Sequence, residues 1–211
     1  MNKQPPRSAH KIEIEIKIAC ESIEKLQPLG ELRLEVPRHF EDNWMLDTTD
    51  ERLKKEKSAL RVRFTQGKGL ITFKGLSKTD SEFKAREELE TETSDPYQMV
   101  AIFEKLGYQP FFRYQKYRTV YKLELSTGET LKVMFDETPI GNFVELEGTE
   151  ESVKYSVNTL RLKPEDYITD TYISIQVERC QQQGLPLQDL LFAENRPESR
   201  KDSVEKAAVR E

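Results

Sequence analysis

The chain has 211 residues with 33 Lys+Arg against 38 Asp+Glu, giving a formal charge of −5 and an isoelectric point near 5.4. That balance excludes a bulk electrostatic grip on nucleic acid or an anionic membrane, and the longest unbroken apolar run, Met99–Phe103, falls far short of the ~20 residues that span a bilayer. Two distant cysteines, Cys20 and Cys180, and two histidines, His10 and His39, exclude a thiol-ligated zinc cluster, a disulfide framework and Ser–His chemistry.

Met1–Ala9 is a polar tail without the apolar core of a secretory signal, so a reducing, cytoplasmic setting is expected. His10–Ile18 (HKIEIEIKI) alternates strictly, with isoleucines on one face and Glu13, Glu15 and Lys17 on the other, which predicts a half-buried strand ending at His10. Ser22–Leu29 spaces Ile23, Leu26 and Leu29 three apart and stops before Gly30, a short helix. A short strand is expected at Trp44–Asp47, closed by a Thr-Thr-Asp turn. Ala59–Phe64 projects Arg61 and Arg63 together, and Gly69–Gly75 adds Lys74. Gly67-Lys68-Gly69 between them reads as a hairpin turn, because it lacks the Lys-Ser/Thr of a phosphate loop. Phe83–Thr91 puts Arg86, Glu88 and Glu90 on one side.

Asp95 and Pro96 open a helix that runs to Leu106 and is closed by Gly107, with Met99, Phe103 and Leu106 as its apolar stripe. Three further strands follow. Phe112–Glu124 aligns Lys116 and Arg118, Thr130–Asp136 aligns Lys132 and Asp136, and Asn142–Glu147 aligns Glu145 and Glu147. Helices are expected at Thr149–Leu160, with Val153, Val157 and Leu160 on one face, and at Asp170–Gln183. The predicted organisation is one domain over 10–192 between polar tails at 1–9 and 193–211.

Mean hydropathy is −0.73 and charged residues make up 34% against 36% hydrophobic, a balance close to that of disordered chains. The charges nevertheless recur at alternate strand positions, acidic on the first and last strands and basic on those between. The apolar faces need helices over them, and the sequence supplies amphipathic ones. The fold class predicted is α+β: about eight antiparallel strands in a closed or nearly closed barrel, charged inside and helix-covered outside. Carboxylates at i and i+2 of a strand lie ~7 Å apart and repel by ~2.4 kcal/mol at an effective dielectric of ~20. Enclosing such pairs demands counter-charges. Divalent cations on the glutamates and a polyanion along the Lys/Arg rows satisfy both halves, and oxygen-only donors suit Mg²⁺ or Mn²⁺.

The run Glu13-Ile14-Glu15-Ile16-Lys17 resembles the ExExK signature of the CYTH superfamily, the triphosphate tunnel metalloenzymes. In family order follow Leu46-Asp47-Thr48, Ala59-Leu60-Arg61-Val62-Arg63, Thr72-Phe73-Lys74-Gly75, Arg86-Glu87-Glu88-Leu89-Glu90, Lys116-Tyr117-Arg118, Phe135-Asp136 and Gly141–Glu147. The segment Tyr167–Leu191, with Tyr172, is similar to the family's closing segment. The resemblance implies an eight-stranded tunnel. In it Glu13, Glu15, Glu145 and Glu147 would hold Mg²⁺ or Mn²⁺, with Asp136 a direct or indirect ligand. Lys17, Arg61, Arg63, Lys74, Arg86, Lys116 and Arg118 would cradle phosphates, and Glu88 and Lys132 would support them. The implied activity is hydrolysis of a triphosphate's phosphoanhydride, on inorganic triphosphate and also thiamine or nucleoside triphosphates. Water would be the nucleophile and Lys17 or Glu15 would take its proton. The alternatives are a class IV adenylate cyclase and a non-catalytic polyphosphate- or nucleotide-binding module. The expected partner is a small-molecule triphosphate, with no nucleic acid or membrane, and the chain is expected to be a monomer or homodimer.

Overall fold

A computed structural model describes residues 11–78, 84–168 and 171–195 of the chain. Period-2 alternation becomes eight strands: β1 (Lys11–Ala19), β2 (Gly30–Thr48), β3 (Ala59–Thr65), β4 (Lys68–Lys78), β5 (Lys84–Thr93), β6 (Tyr108–Leu125), β7 (Thr130–Thr138) and β8 (Gly141–Gly148). All neighbours are antiparallel, and the sheet closes in the order β1-β5-β4-β3-β2-β6-β7-β8. Closure comes from β1, which pairs with β5 along one edge and with β8 along the other, for example Glu13↔Arg86 and Lys17↔Glu145. Closing removes the free edges that an open sheet would expose.

The turn between β3 and β4 is two residues long, Gln66 at φ 47° and Gly67 at φ 77°, with Thr65 paired to Lys68. Both positive φ values fit the type I′ hairpin whose twist matches its strands.

The longest departure from expectation is β2. It is 19 residues long and pairs with β6 from Gly30↔Leu125 to Thr48↔Tyr108, where only Trp44–Asp47 was predicted. Register shifts between Leu34 and Val36 and between Val36 and His39 break the alternation there. Pro37, which has no N–H for a ladder, sits in the second of them. Ser22–Leu29 is a 3-10 helix over Ile23–Leu29, with Pro28 inside it, rather than an α-helix. A four-residue helix α1 (Arg52–Lys55), not anticipated, is held by Asp47, whose carboxylate accepts the backbone N–H of Leu53 at 2.9 Å and of Lys54 at 3.0 Å.

Three further helices cover the barrel or its end: α2 (Pro96–Lys105), α3 (Glu150–Leu160) and α4 (Tyr172–Gln182). Each begins at a side-chain cap. Asp95 accepts from Gln98 N at 2.9 Å, Thr149 from Ser152 N at 3.1 Å and Thr171 from Ser174 N at 3.2 Å. In α2 Val100 is buried with Phe103 packed beside it and Met99 half-buried, whereas Leu106 is exposed, so of the predicted stripe only Leu106 leaves the core face. Outside the barrel, α3 and the 3-10 helix bury Ile16, Ile18, Leu123, Leu131, Val133, Val144 and Leu146. Helices α1 and α2 bury Leu46, Leu60 and Val62. A third cluster gathers Met45, Phe112, Tyr114 and Phe143 around Tyr172 of α4 and Leu190, and so closes one end of the barrel. Leu190 bridges to Tyr114 along β6, and Gln115 Oε1 accepts from Asn195 Nδ2 at 3.1 Å.

Both cysteines are buried and unbonded to each other. His10 and the tails 1–9 and 196–211 lie outside the described residues. Among the described residues no helix is long and apolar enough to cross a membrane.

Candidate active site

Alternation along each strand carries one set of side chains to the helices and the other into the barrel. The inward set surrounds a cavity of about 220 Å³. Of the residues singled out in the sequence, Glu15, Lys17, Arg61, Arg63, Lys74, Glu88, Lys116, Arg118, Lys132, Glu145 and Glu147 line it. Glu13 and Arg86 face each other in register on β1 and β5, and their side chains lie outside the described residues. Asp136 is fully buried and does not line the cavity. Its carboxylate accepts from Lys116 Nζ at 2.8 Å, from Arg118 Nε and Nη2 at 2.6 Å and from the Tyr172 hydroxyl at 2.8 Å. With its oxygens so engaged, Asp136 orients two cations from behind.

Acid and base alternate in space more than the strand order suggested. Arg118 also donates to Glu145 at 2.6 Å, and Lys17 lies 3.4 Å from the other Glu145 oxygen and 4.3 Å above the Tyr172 ring. Arg61 donates to Thr72 at 3.0 Å, and Thr72 in turn donates to Glu90 at 2.8 Å. Lys74 pairs with Glu88, its register partner, and Lys132, half exposed at the mouth, lies 3.5 Å from Glu147.

Five contributors were not anticipated by residue: Glu41 and Asn43 on β2, Thr72, Tyr114, and Tyr172 in its bond to Asp136. Glu41, Asn43 and Met45 form an alternate set as clear as Arg61/Arg63. Thr72 and Tyr114 each stand two residues before a predicted cation. The signal was parity, and it was lost on β2 because the strand was read only from Trp44 onward.

The chamber's charges set one another's ionisation. Burial would raise the Glu145 carboxyl, but Arg118, Lys17 and Lys116 hold it well below its ordinary range. Glu41 behaves the same way, with Arg63, Lys116 and Arg118 overriding burial. Burial would also raise the Tyr114 phenol, yet Arg61, Lys116 and Arg63 bring it below its usual value. Arg63 is itself lowered, first by burial and then by Arg61. Arg118 moves the other way: burial would lower it, but Asp136 and Glu145 raise it well above its ordinary value, so acid and base hold each other charged.

Fold and site together define a charged β-barrel chamber of the tunnel type. The CYTH domain model matches residues 11–172, and the chain belongs to that family. A Methanocaldococcus jannaschii protein named "Putative adenylate cyclase MJ0240" is 31% identical over 141 residues, covering 64% of this chain and 76% of the relative. A Vibrio parahaemolyticus structure described as a "putative adenylate cyclase" superposes with a TM-score of 0.61 at 19% identity, over 79% of this chain and 98% of that one. The Hippeastrum "Putative adenylyl cyclase HpAC1", described as revealing a dominant triphosphatase activity, superposes at 0.53 with 21% identity, over 83% and 97%. At these identities the two structures bear on the fold alone.

Proposed function

We propose that the chain is a divalent-metal-dependent triphosphatase that hydrolyses the terminal phosphoanhydride of inorganic triphosphate. The observation that carries this reading is the pairing of a small cavity with its lining. About 220 Å³ walled by Lys17, Arg61, Arg63, Lys74, Lys116 and Arg118 has room for a polyphosphate, and lies below the ~300 Å³ at which pockets for larger organic ligands begin. Guanidinium forks from Arg61, Arg63 and Arg118 would take phosphate oxygens in pairs, and Lys17, Lys74 and Lys116 would add point charges.

Among the described residues no three acidic, His or Cys side chains already converge as a metal site. The donor chemistry nonetheless fits a hard cation. Glu15 and Glu147 are register partners on β1 and β8, and Glu145 is two residues from Glu147 and opposite Lys17. All are carboxylates, as Mg²⁺ or Mn²⁺ prefers, and the sequence adds Glu13. The bound ion would supply charge neutralisation on the phosphate oxygens. In this reading Lys17, paired with Glu145, would donate to a phosphate oxygen, and Glu15 would take the proton of an attacking water. As water bonds to the terminal phosphorus the bridging P–O bond breaks, and Arg63, Lys116 and Arg118 offset the charge developing on the diphosphate.

A second reading, adenylate cyclase, is favoured by the name of the archaeal relative and by one feature of the fold. A groove of about 840 Å³ shares Met45, Ala59, Thr171 and Ile173 with the chamber and has room for a nucleoside. The deciding experiment incubates the protein with tripolyphosphate, thiamine triphosphate or ATP, plus Mg²⁺ or Mn²⁺, and identifies products. Release of phosphate supports the hydrolase. Cyclic AMP with pyrophosphate supports the cyclase, and binding without turnover would leave a polyphosphate-binding module.

A further inference from the structure

We infer that Glu41 is a positioning residue that aims Arg63 and Lys116 into the chamber; the inference rests on the reading of that chamber as a polyphosphate site. Glu41 does not line the cavity, and its side chain is only 2% exposed, yet both cations it touches do line it. One oxygen accepts Arg63 Nη1 at 3.0 Å; the other lies 3.5 Å from Lys116 Nζ and has no hydrogen bond. Asn43 Oδ1 accepts Arg63 Nε at 2.9 Å, so the guanidinium is fixed along two of its edges while the rest of the fork stays toward the cavity. Behind Glu41, His39 Nε2 lies 3.4 Å from the oxygen that Arg63 uses, and His39 Nδ1 is 2.9 Å from the Pro37 carbonyl.

Lys116 is shared with Asp136, at 2.8 Å. An unbroken chain of contacts therefore runs Arg63–Glu41–Lys116–Asp136–Arg118–Glu145–Lys17. Asp136 orients Arg118 and Lys116 from one side of the barrel, and Glu41 orients Lys116 and Arg63 from the other. Glu41 is the acid that joins Arg63 on β3 directly to Lys116 on β6.

The sign of the effect separates positioning from bulk charge. Coulomb's law alone says that deleting a buried negative charge beside an anion site tightens anion binding. If Glu41 works by geometry, Glu41→Gln weakens it. Metal-free binding of tripolyphosphate to the full chain, measured by calorimetry beside a thermal melt, should show Kd rising about tenfold for Glu41→Gln. Glu41→Asp keeps the charge but draws it back by a methylene, and should show a rise of about threefold if Gln does not fold. Under turnover the same variants should raise KM more than they lower kcat. Parent-like or tighter binding in a folded variant overturns the inference. Failure of the parent itself to bind tripolyphosphate would instead sink the functional reading. The positioning is then still decided by NMR of ¹⁵N-arginine-labelled protein: slowly exchanging Arg63 side-chain N–H signals in the parent should be lost in Glu41→Asp, and their persistence overturns it.

Discussion

Glu145 is the side chain on which the metal reading depends most directly. It is held by Arg118 and Lys17, and its carboxyl lies well below its ordinary 4.5 because those cations outweigh burial. Glu145→Gln should cost about 1–3 kcal/mol of stability and no more, because Arg118 keeps Asp136 as a partner. Its activity should demand far more metal or vanish. Arg63→Ala removes a phosphate contact worth about 1.5–3 kcal/mol, so affinity and turnover should fall while the metal dependence changes less. A melt and a metal titration on each variant check both. A Glu145→Gln protein with the parent's metal dependence would make Glu145 structural. The sequence groups like charges along each strand; the structure interleaves acid with base across neighbouring strands, so each deletion leaves a former partner behind.

Strand β8 shows how alternation divides labour between neighbours. Glu145 and Glu147 enter the chamber, while Val144 and Leu146 are fully buried under α3. Leu146→Ala should therefore cost about 2–5 kcal/mol in a denaturant melt, with the metal dependence of the folded protein unchanged. An altered metal response without loss of stability would mean the strand's faces had been assigned the wrong way round. The start of α4 has a different task. Tyr172 is buried, and its phenol is pushed well above the usual range, first by burial and then by Asp136 and Glu145. It therefore stays protonated and donates to Asp136, linking a helix cap to the cation pair of β6.

Taken as a whole, the barrel holds its charges in a network whose stability depends on pH in two directions. Glu41 and Glu145 have depressed pKa values, so the stability they contribute is present above 4.5 and is lost as pH falls through their lower folded values. His39 is raised above 6.5, chiefly by its bond to Glu41, so its contribution is complete below 6.5 and is lost as pH rises through its folded value. Thermal melts from about pH 3 to 9 should show a steep acid limb below 4.5 and a shallow decline above 6.5. His39→Gln should flatten only the second; if it leaves both limbs intact, the His39–Glu41 pair is not titrating. Because the folded chamber alone presents these cations together, tripolyphosphate at 100 times its Kd should stabilise the protein by about 2.7 kcal/mol, or roughly 5–10 °C in Tm.

The sequence by itself determined the alternation of β1, β3, β4, β6, β7 and β8 and hence which residues share a face. Strand periodicity is local and survives in any fold that keeps those strands, which is why Lys17, Arg61, Arg63, Lys116, Arg118 and Glu145 could be named in advance. The helix cap at Asp95 was legible for the same reason: a cap bonds within its own turn. Three things were decided only in three dimensions. Register shifts around Pro37 hid the part of β2 before Trp44, and with it Glu41 and Asn43, because a bulge destroys the period by which a strand is read. Closure of β1 onto both β5 and β8 set which acids face which bases, a matter of pairing between residues about 70 to 130 positions apart. Burial took Asp136 out of the cavity wall and put it behind Lys116, Arg118 and Tyr172, because a carboxylate offered so many donors is worth more to the barrel as their common acceptor.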